Sequence, residues 1–367
     1  MAGLTYDATG VRYEALDAFK RACQQHAAAT AGALANHGVR EAEHVRGESA
    51  YLLDTGEAYW AHVEEGLGTK NLVADAMAKL TGRSYYHAIG IDTVATIVND
   101  LVTTGALPLS VAMHLAVGDT RWFADEARAL ELVRGFARGC EMAGAAWGGG
   151  ETPALRGIVE AEGAVLAGSA IGRILPKHHR VMGDLHDGDA IILLASSGVQ
   201  TNGLSLCRAV ADRLPRGYLT TLKDGQSFGE SLLSPSIIYV PFVAAMQRAG
   251  VTLKYLAHIT GHGWRKLMRP TQPFVYEMTD LGPGLEIFRF LREAGPISVE
   301  EAYATFNMGA GFAAYVDPAD AQACLDAASR CQIPAWRGGT VRQRGDRKAV
   351  EILPLSVTFE AGTLQVR

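Results

Sequence analysis

The stretch that most constrains this chain is Ala88–Leu101, AIGIDTVATIVNDL, an apolar run broken only by Asp92, Asn99 and Asp100. Such a run is driven into a core, where an isolated carboxylate is costly unless it meets a cation, a metal or several hydrogen-bond donors. Whatever the fold, partners have to be brought to two buried acids. With 367 residues the chain has the size for about two domains, each able to bury a core without metal or disulfide staples.

Other features narrow the class. Glycine occurs 41 times, about 11% against a usual ~7%, without a Gly-X-Y period, so the excess serves tight turns or close backbone approach to a ligand. The balance of 34 Lys+Arg against 39 Asp+Glu leaves a net charge of −5, with no basic footprint for nucleic acid. Asp7, Glu14 and Asp17 argue against an N-terminal signal peptide. The longest uncharged run, Leu101–Gly118, contains Gly105, Pro108 and His114 and is too polar for a membrane span. Cys23, Cys140, Cys207, Cys324 and Cys331 are odd in number and scattered, which fits reduced thiols in a cytoplasmic protein.

Periodicity predicts helices over Val11–Ala29 (Leu16, Phe19, Cys23 and Ala27 on one face), from Lys70 onward, and over Phe123–Gly144 (Leu130, Val133, Ala137 and Cys140 on one face). Strand patterns occupy Tyr51–Val63, Leu109–Val117, Gly163–Gly172, Ala190–Ala195 and Gly311–Val316. Val350–Phe359 reads as a hairpin turning at Glu360–Gly362 or just before. Two helices in the second half carry Leu206, Val210 and Leu214, and Val240, Val243 and Met246. Strands and helices alternate in both halves, so the expected fold is a two-domain α/β (α+β) enzyme, residues 1–175 and 176–367.

No Walker motif, dinucleotide fingerprint or hydrolase elbow is present. Four glycine turns carry the polar chemistry instead. Glu65-Gly66-Leu67-Gly68-Thr69-Lys70 sets backbone N–H groups, a carboxylate, a hydroxyl and a lysine at a helix start, a sensible anion and metal corner. Asn99-Asp100, Gly149-Gly150-Glu151-Thr152 and Ser196–Gly203 are the others, and each alone reads equally as a surface loop. His258-Ile259-Thr260-Gly261-His262-Gly263 offers an imidazole for proton transfer, substrate contact or plain structure. Its glycines and the want of a third ligand argue against zinc.

Taken in order, these segments resemble the phosphoribosylformylglycinamidine cyclo-ligase (AIR synthetase) family. The resemblance runs through Tyr6–Val11, GLGTK (Gly66–Lys70), GIDTVATIVNDL (Gly90–Leu101), GGET (Gly149–Thr152), LASSGVQTNGLSL (Leu194–Leu206), LAHITGHG (Leu256–Gly263) and FNMGAG (Phe306–Gly311). It implies a homodimer paired through N-terminal sheets, and use of ATP with Mg²⁺ to phosphorylate an amide oxygen of a small substrate before an imidazole ring closes. By position it implies Gly66, Gly68, Thr69, Asp92, Asn99, Gly149, Gly150, Glu151 and Thr152 for ATP, and Glu65, Asp100 and Glu151 for the metal. His258, Lys70 and Asp100 would be catalytic, and Ser197, Asn202, Gly261 and Asn307 would line the substrate. The chain departs from the family at Glu65, at the glycine-poor Arg46–Ala50 lid, at Gln200 and at His262. These departures leave open a relative acting on another amide or phosphorylated substrate, or a non-catalytic nucleotide binder.

Overall fold

The computed structural model describes residues 4–10 and 13–364. The N-terminal half contains β1 (Arg40–Glu41), β2 (Tyr51–Asp54), β3 (Tyr59–Gly66), β4 (Leu107–Val117), β5 (Ala146–Glu151) and β6 (Ala164–Ile174), with α1 (Tyr13–Ala28), α2 (Lys70–Thr81), α3 (Tyr86–Val102) and α4 (Glu126–Ala143). Its strands form one sheet in the order β1-β2-β3-β6-β4-β5. The C-terminal half contains α5 (Leu204–Ala211), α6 (Phe228–Leu232), α7 (Val240–Arg248), α8 (Glu286–Ala294), α9 (Val299–Thr305) and α10 (Ala321–Arg330). Its strands are β7 (Ala190–Ala195), β8 (Tyr255–His258), β9 (Val275–Met278), β10 (Ala310–Val316), β11 (Ala335–Arg342), β12 (Ala349–Ile352) and β13 (Val357–Glu360). They form a second sheet in the order β13-β12-β9-β11-β7-β10-β8.

The apolar run of the sequence is α3, buried at every position from Ile89 to Val102. A helix apolar all round belongs in an interior, and α3 has the first sheet, α4 and the C-terminal half packed about it. Its crossing with α4 is made through glycines. A Cβ on Gly90 would lie 2.4 Å from the Phe136 nitrogen, and one on Gly135 would lie 2.0 Å from the His87 oxygen. This close approach turns α4 away from the expected face. Leu132, Phe136 and Cys140 are buried, while Leu130 and Val133 are exposed.

Two further expectations are corrected. In α1, Leu16 and Phe19 stand 45% and 71% exposed, and among residues 16–28 the buried one is Asp17, 3% exposed, with its carboxylate 3.4 Å from the His262 ring. Polar pairing, not an apolar stripe, orients this helix. Val11 and Arg12, where it was expected to begin, lie outside the described residues. The last hairpin, β12 against β13, turns at 353–356, where Ser356 takes a left-handed conformation, earlier than Glu360–Gly362.

Candidate active site

A pocket of about 460 Å³ lies between the two halves. Its walls are α1, the 45–51 segment, Glu65 and Asp100 from the first half, and His262, Lys266 and Arg269 from the second. Alternation along β3 turns Glu65 to the side of the sheet that α3 covers, and Asp100 comes from the last turn of that helix. The two carboxyl groups hydrogen-bond each other. Burial, then the Asp100 charge, pushes the Glu65 carboxyl well above its ordinary range. Burial also pushes Asp100 upward, but Lys266, the His258 hydrogen bond and Arg269 outweigh it and hold that carboxyl well below the usual range.

Behind Asp100 stands His258, at the end of β8, with Nδ1 2.6 Å from the Asp100 Oδ1. It is 3% exposed and does not line the pocket, and burial, partly offset by Asp100, lowers its pKa. As a group expected to act directly on substrate, His258 is corrected: it reaches the pocket only through Asp100. His262 does line the pocket, and burial followed by the nearby Arg265 and Lys266 lowers it to about 3.

Lys70, Asp92 and Asn99 do not line the pocket, and their polar groups are engaged inside the protein. Lys70 opens α2 as the sequence indicated, but its ammonium is fully buried, 2.7 Å from Asp92 and donating to the Ser234 carbonyl at 2.8 Å. Asp92 also accepts from the Ser236 nitrogen and hydroxyl. Asn99 donates to the Ile237 carbonyl and accepts from the Tyr239 nitrogen, both at 2.8 Å. These residues use their polar valences to fasten α2 and α3 to segment 234–239 of the other half, which answers the demand for partners made by the buried run.

The three carboxylates expected around one cation do not converge in a single chain. In register, Gly66 pairs with Ala167, Ala167 with His114, and His114 with Glu151. Glu151 is thus three strands from the end of β3, about 14 Å at the usual strand spacing, and it shares the outward face of Gly66, not the inward face of Glu65. No group of three His, Cys, Asp or Glu able to hold a metal occurs among the described residues. Glu151, Gly149, Gly150 and Thr152 line a separate open depression with Met113 and Trp147. Gly66, Gly68 and Thr69 lie at the N-terminus of α2, as expected.

None of Ser197, Asn202, Gly261 and Asn307 lines the larger pocket. Ser197 donates to the Pro235 carbonyl at 2.6 Å and Asn202 to the Thr305 carbonyl at 2.5 Å. Asn307, 1% exposed, accepts from Ser196 and the Gly309 nitrogen and donates to the Gly198 carbonyl, so it staples two loops. Sequence reasoning missed Lys266 and Arg269, whose signal was two cations four and seven residues beyond the His262 turn. All five cysteines are free thiols, and among the described residues no helix is long and apolar enough to cross a membrane.

Residues 47–174 match the family described as AIR synthase related protein, N-terminal domain, and residues 186–351 match its C-terminal domain. The chain belongs to the AIR synthase related family. Among its relatives, the phosphoribosylformylglycinamidine cyclo-ligase of Methanothermobacter thermautotrophicus is 36% identical over 307 residues, covering 83% of this chain and 86% of that protein. The protein of the same name from Thermococcus gammatolerans is 38% identical over 282 residues, covering 76% and 78%. Among solved structures, tt0281 from Thermus thermophilus superposes with a TM-score of 0.56 at 18% identity, covering 84% of this chain and 90% of that one. AaThiL, solved with AMPPCP and TMP, gives 0.57 at 14% identity, covering 87% and 92%. These last two likenesses establish the shared AIR-synthase-related fold.

Proposed function

We propose that the protein is an ATP-dependent cyclo-ligase that converts formylglycinamidine ribonucleotide to aminoimidazole ribonucleotide. The observation that carries this reading is the identity of 36% and 38% to relatives named for that reaction. The pocket in which Glu65 and Asp100 meet supports it. An amide oxygen is a poor leaving group. ATP phosphorylates it, the internal amine bonds to the formyl carbon, and the C–O bond breaks to release phosphate, with ADP and a proton as the other products. Such chemistry needs positioning and charge neutralisation more than a strong acid or base.

In this reading Asp100 stays ionised at the pocket wall, and His258 is a positioning residue that fixes the Asp100 carboxylate from behind. Gly66, Gly68 and Thr69 offer the backbone of a helix N-terminus to phosphate. Magnesium fits the adjoining corner. Two carboxyl groups in contact must share a proton or a cation, and Mg²⁺ takes one or two carboxylates beside phosphate oxygens. Glu65 and Asp100 would hold it, and when bound it would neutralise charge on the transferring phosphoryl group.

The active form in this account is a homodimer joined through the outer face of the first sheet, where Trp60, Leu109, Val165 and Ile171 are exposed. Glu151 stands on that outward face, so Gly149, Gly150, Glu151 and Thr152 would serve nucleotide bound to the other copy. Residues 1–175 form the ATP-binding and dimerisation unit and residues 176–367 the second unit, working in the cytoplasm on small molecules without nucleic-acid or membrane partners. Purified protein given formylglycinamidine ribonucleotide, ATP and Mg²⁺ is expected to form ADP and aminoimidazole ribonucleotide in equal amounts. ADP without the imidazole overturns the reading.

A further inference from the structure

Segment 45–51 carries one glycine, Gly47, and forms one side of the pocket. Val45 and Ala50, each 3% exposed, anchor its two ends in the core of the first half. The residues between them are held one by one. Arg46 donates from Nε to Glu41 Oε1 at 3.0 Å, and the Tyr51 hydroxyl donates to the other Glu41 oxygen at 2.8 Å. The Glu48 carboxylate accepts from the Tyr255 hydroxyl at 3.1 Å, and the Glu48 nitrogen donates to the Val45 carbonyl at 3.1 Å. Gly47 and Ser49 share Arg269, whose Nη2 donates to the Gly47 carbonyl and Nη1 to the Ser49 hydroxyl, each at 2.7 Å.

The other end of this link is also fixed. Arg269 follows the turn Gly263–Met268, in which Trp264, Leu267 and Met268 are fully buried. The Trp264 indole donates to the Asn307 carbonyl at 2.8 Å, and the Leu267 carbonyl accepts from the Tyr315 hydroxyl at 2.7 Å. Arg269 is thus a strut between an anchored turn of the second half and a pocket wall of the first. Hydrogen bonds from a cation are stronger than neutral ones. A planar guanidinium serves two acceptors in a fixed fork, which an ammonium does not. A wall ordered in advance spares an incoming ligand the entropy of ordering it.

We propose that Arg269 is a positioning residue that holds residues 46–49 in their pocket-lining conformation before any nucleotide arrives. The wall is then preformed and is not closed by the ligand. This rests on the cyclo-ligase reading only for the nucleotide that uses the pocket; the strut itself needs no ligand.

Hydrogen–deuterium exchange of the full chain tests it, with calorimetric titration of Mg-AMP-PNP alongside. In wild type, peptides covering 46–51 should be protected without nucleotide, and Mg-AMP-PNP should change their exchange by less than about threefold. Arg269→Gln should speed that exchange about tenfold to a hundredfold, the range for lost charge-assisted bonds. Strand Ala190–Ala195 should stay protected and report an intact fold. Mg-AMP-PNP should restore protection in this variant yet bind about tenfold more weakly, because ordering the wall now falls on the ligand. Ser49→Ala, which leaves Arg269 in place, should give a smaller rise in the same peptides. It decides the matter if Arg269→Gln does not fold, and no rise there would then count against the strut. Rapid exchange of 46–51 in ligand-free wild type, slowed by Mg-AMP-PNP, overturns the proposal. So does weaker nucleotide binding in Arg269→Gln with exchange unchanged, which would make Arg269 a direct ligand contact. Failure of wild type to bind Mg-AMP-PNP would refute the nucleotide reading, while the ligand-free comparison still decides the strut.

Discussion

His258 Nδ1 lies 2.6 Å from Asp100 Oδ1, joining the end of a strand in the second sheet to the helix beneath the first. The bond fixes a carboxylate of the pocket wall, and it does so from a position closed to the pocket. His258→Ala is therefore expected to lower kcat about tenfold to a hundredfold, the usual cost of removing a residue that orients an ionised group, with a smaller change in KM for ATP. Steady-state kinetics check this, and His258→Gln should recover part of kcat. An increase in the KM for ATP with kcat intact would contradict the positioning role.

The buried Lys70–Asp92 pair gives a stability prediction. Lys70→Met leaves Asp92 uncompensated inside the protein and should cost about 3–5 kcal/mol, as breaking buried pairs does. Lys70→Met with Asp92→Asn should cost less, because the charge goes too and the Ser236 donors keep an acceptor. Urea titrations of the three proteins decide it. A loss under about 1 kcal/mol in Lys70→Met would mean that the pair is not holding the two halves together.

Gly135→Ala should lower the melting temperature by several degrees. Its Cβ would press on the His87 backbone at 2.0 Å, and overpacking of this kind costs about 1–3 kcal/mol. Gly32→Ala, with no atom within 4 Å of the new methyl, should leave the transition nearly unmoved. Calorimetry or circular dichroism checks both.

Asp54 predicts acid sensitivity. The Lys177 hydrogen bond, working against burial and aided by Gly56 and Arg40, lowers its pKa from 3.8 to about 2. A carboxyl with a depressed folded pKa contributes stability above its unfolded value and loses it as pH falls through the folded one. Stability should therefore drop between pH 3.8 and about 2 by about 1 kcal/mol after allowing for solvent screening. Asp54→Asn should show a shallower fall over that window in pH-dependent unfolding.

Much of this fold can be read directly in the chain. Ala190–Ala195 is apolar at every position and is a strand over those six residues, buried from Ala190 to Leu194, and the helix start at Lys70 follows from the glycine turn before it. The apolar run at Ala88–Leu101 announced that its acids needed partners, yet not which. Asp92 took Lys70 and Asp100 took His258, a choice made by the docking of two sheets across long sequence separations. The same limit applies to Asn99 and Asn307, whose polarity suggested ligands and whose valences are filled by distant backbone. Glu151 shows a subtler failure. Its glycine turn looked equivalent to that at Gly66, but sheet order and side-chain alternation put it three strands away from Glu65 and on the opposite face. Leu16 and Phe19 carried a regular helical stripe that the structure leaves exposed, because Asp17 finds His262.

The central claim is that this chain activates an amide oxygen by phosphorylation. The most direct measurement supplies formylglycinamidine ribonucleotide carrying heavy oxygen in its formyl group, with unlabelled ATP and Mg²⁺, and follows the label into the released phosphate by mass spectrometry. The account predicts one heavy oxygen in each phosphate formed, in step with aminoimidazole ribonucleotide. Ring closure accompanied by unlabelled phosphate would contradict it.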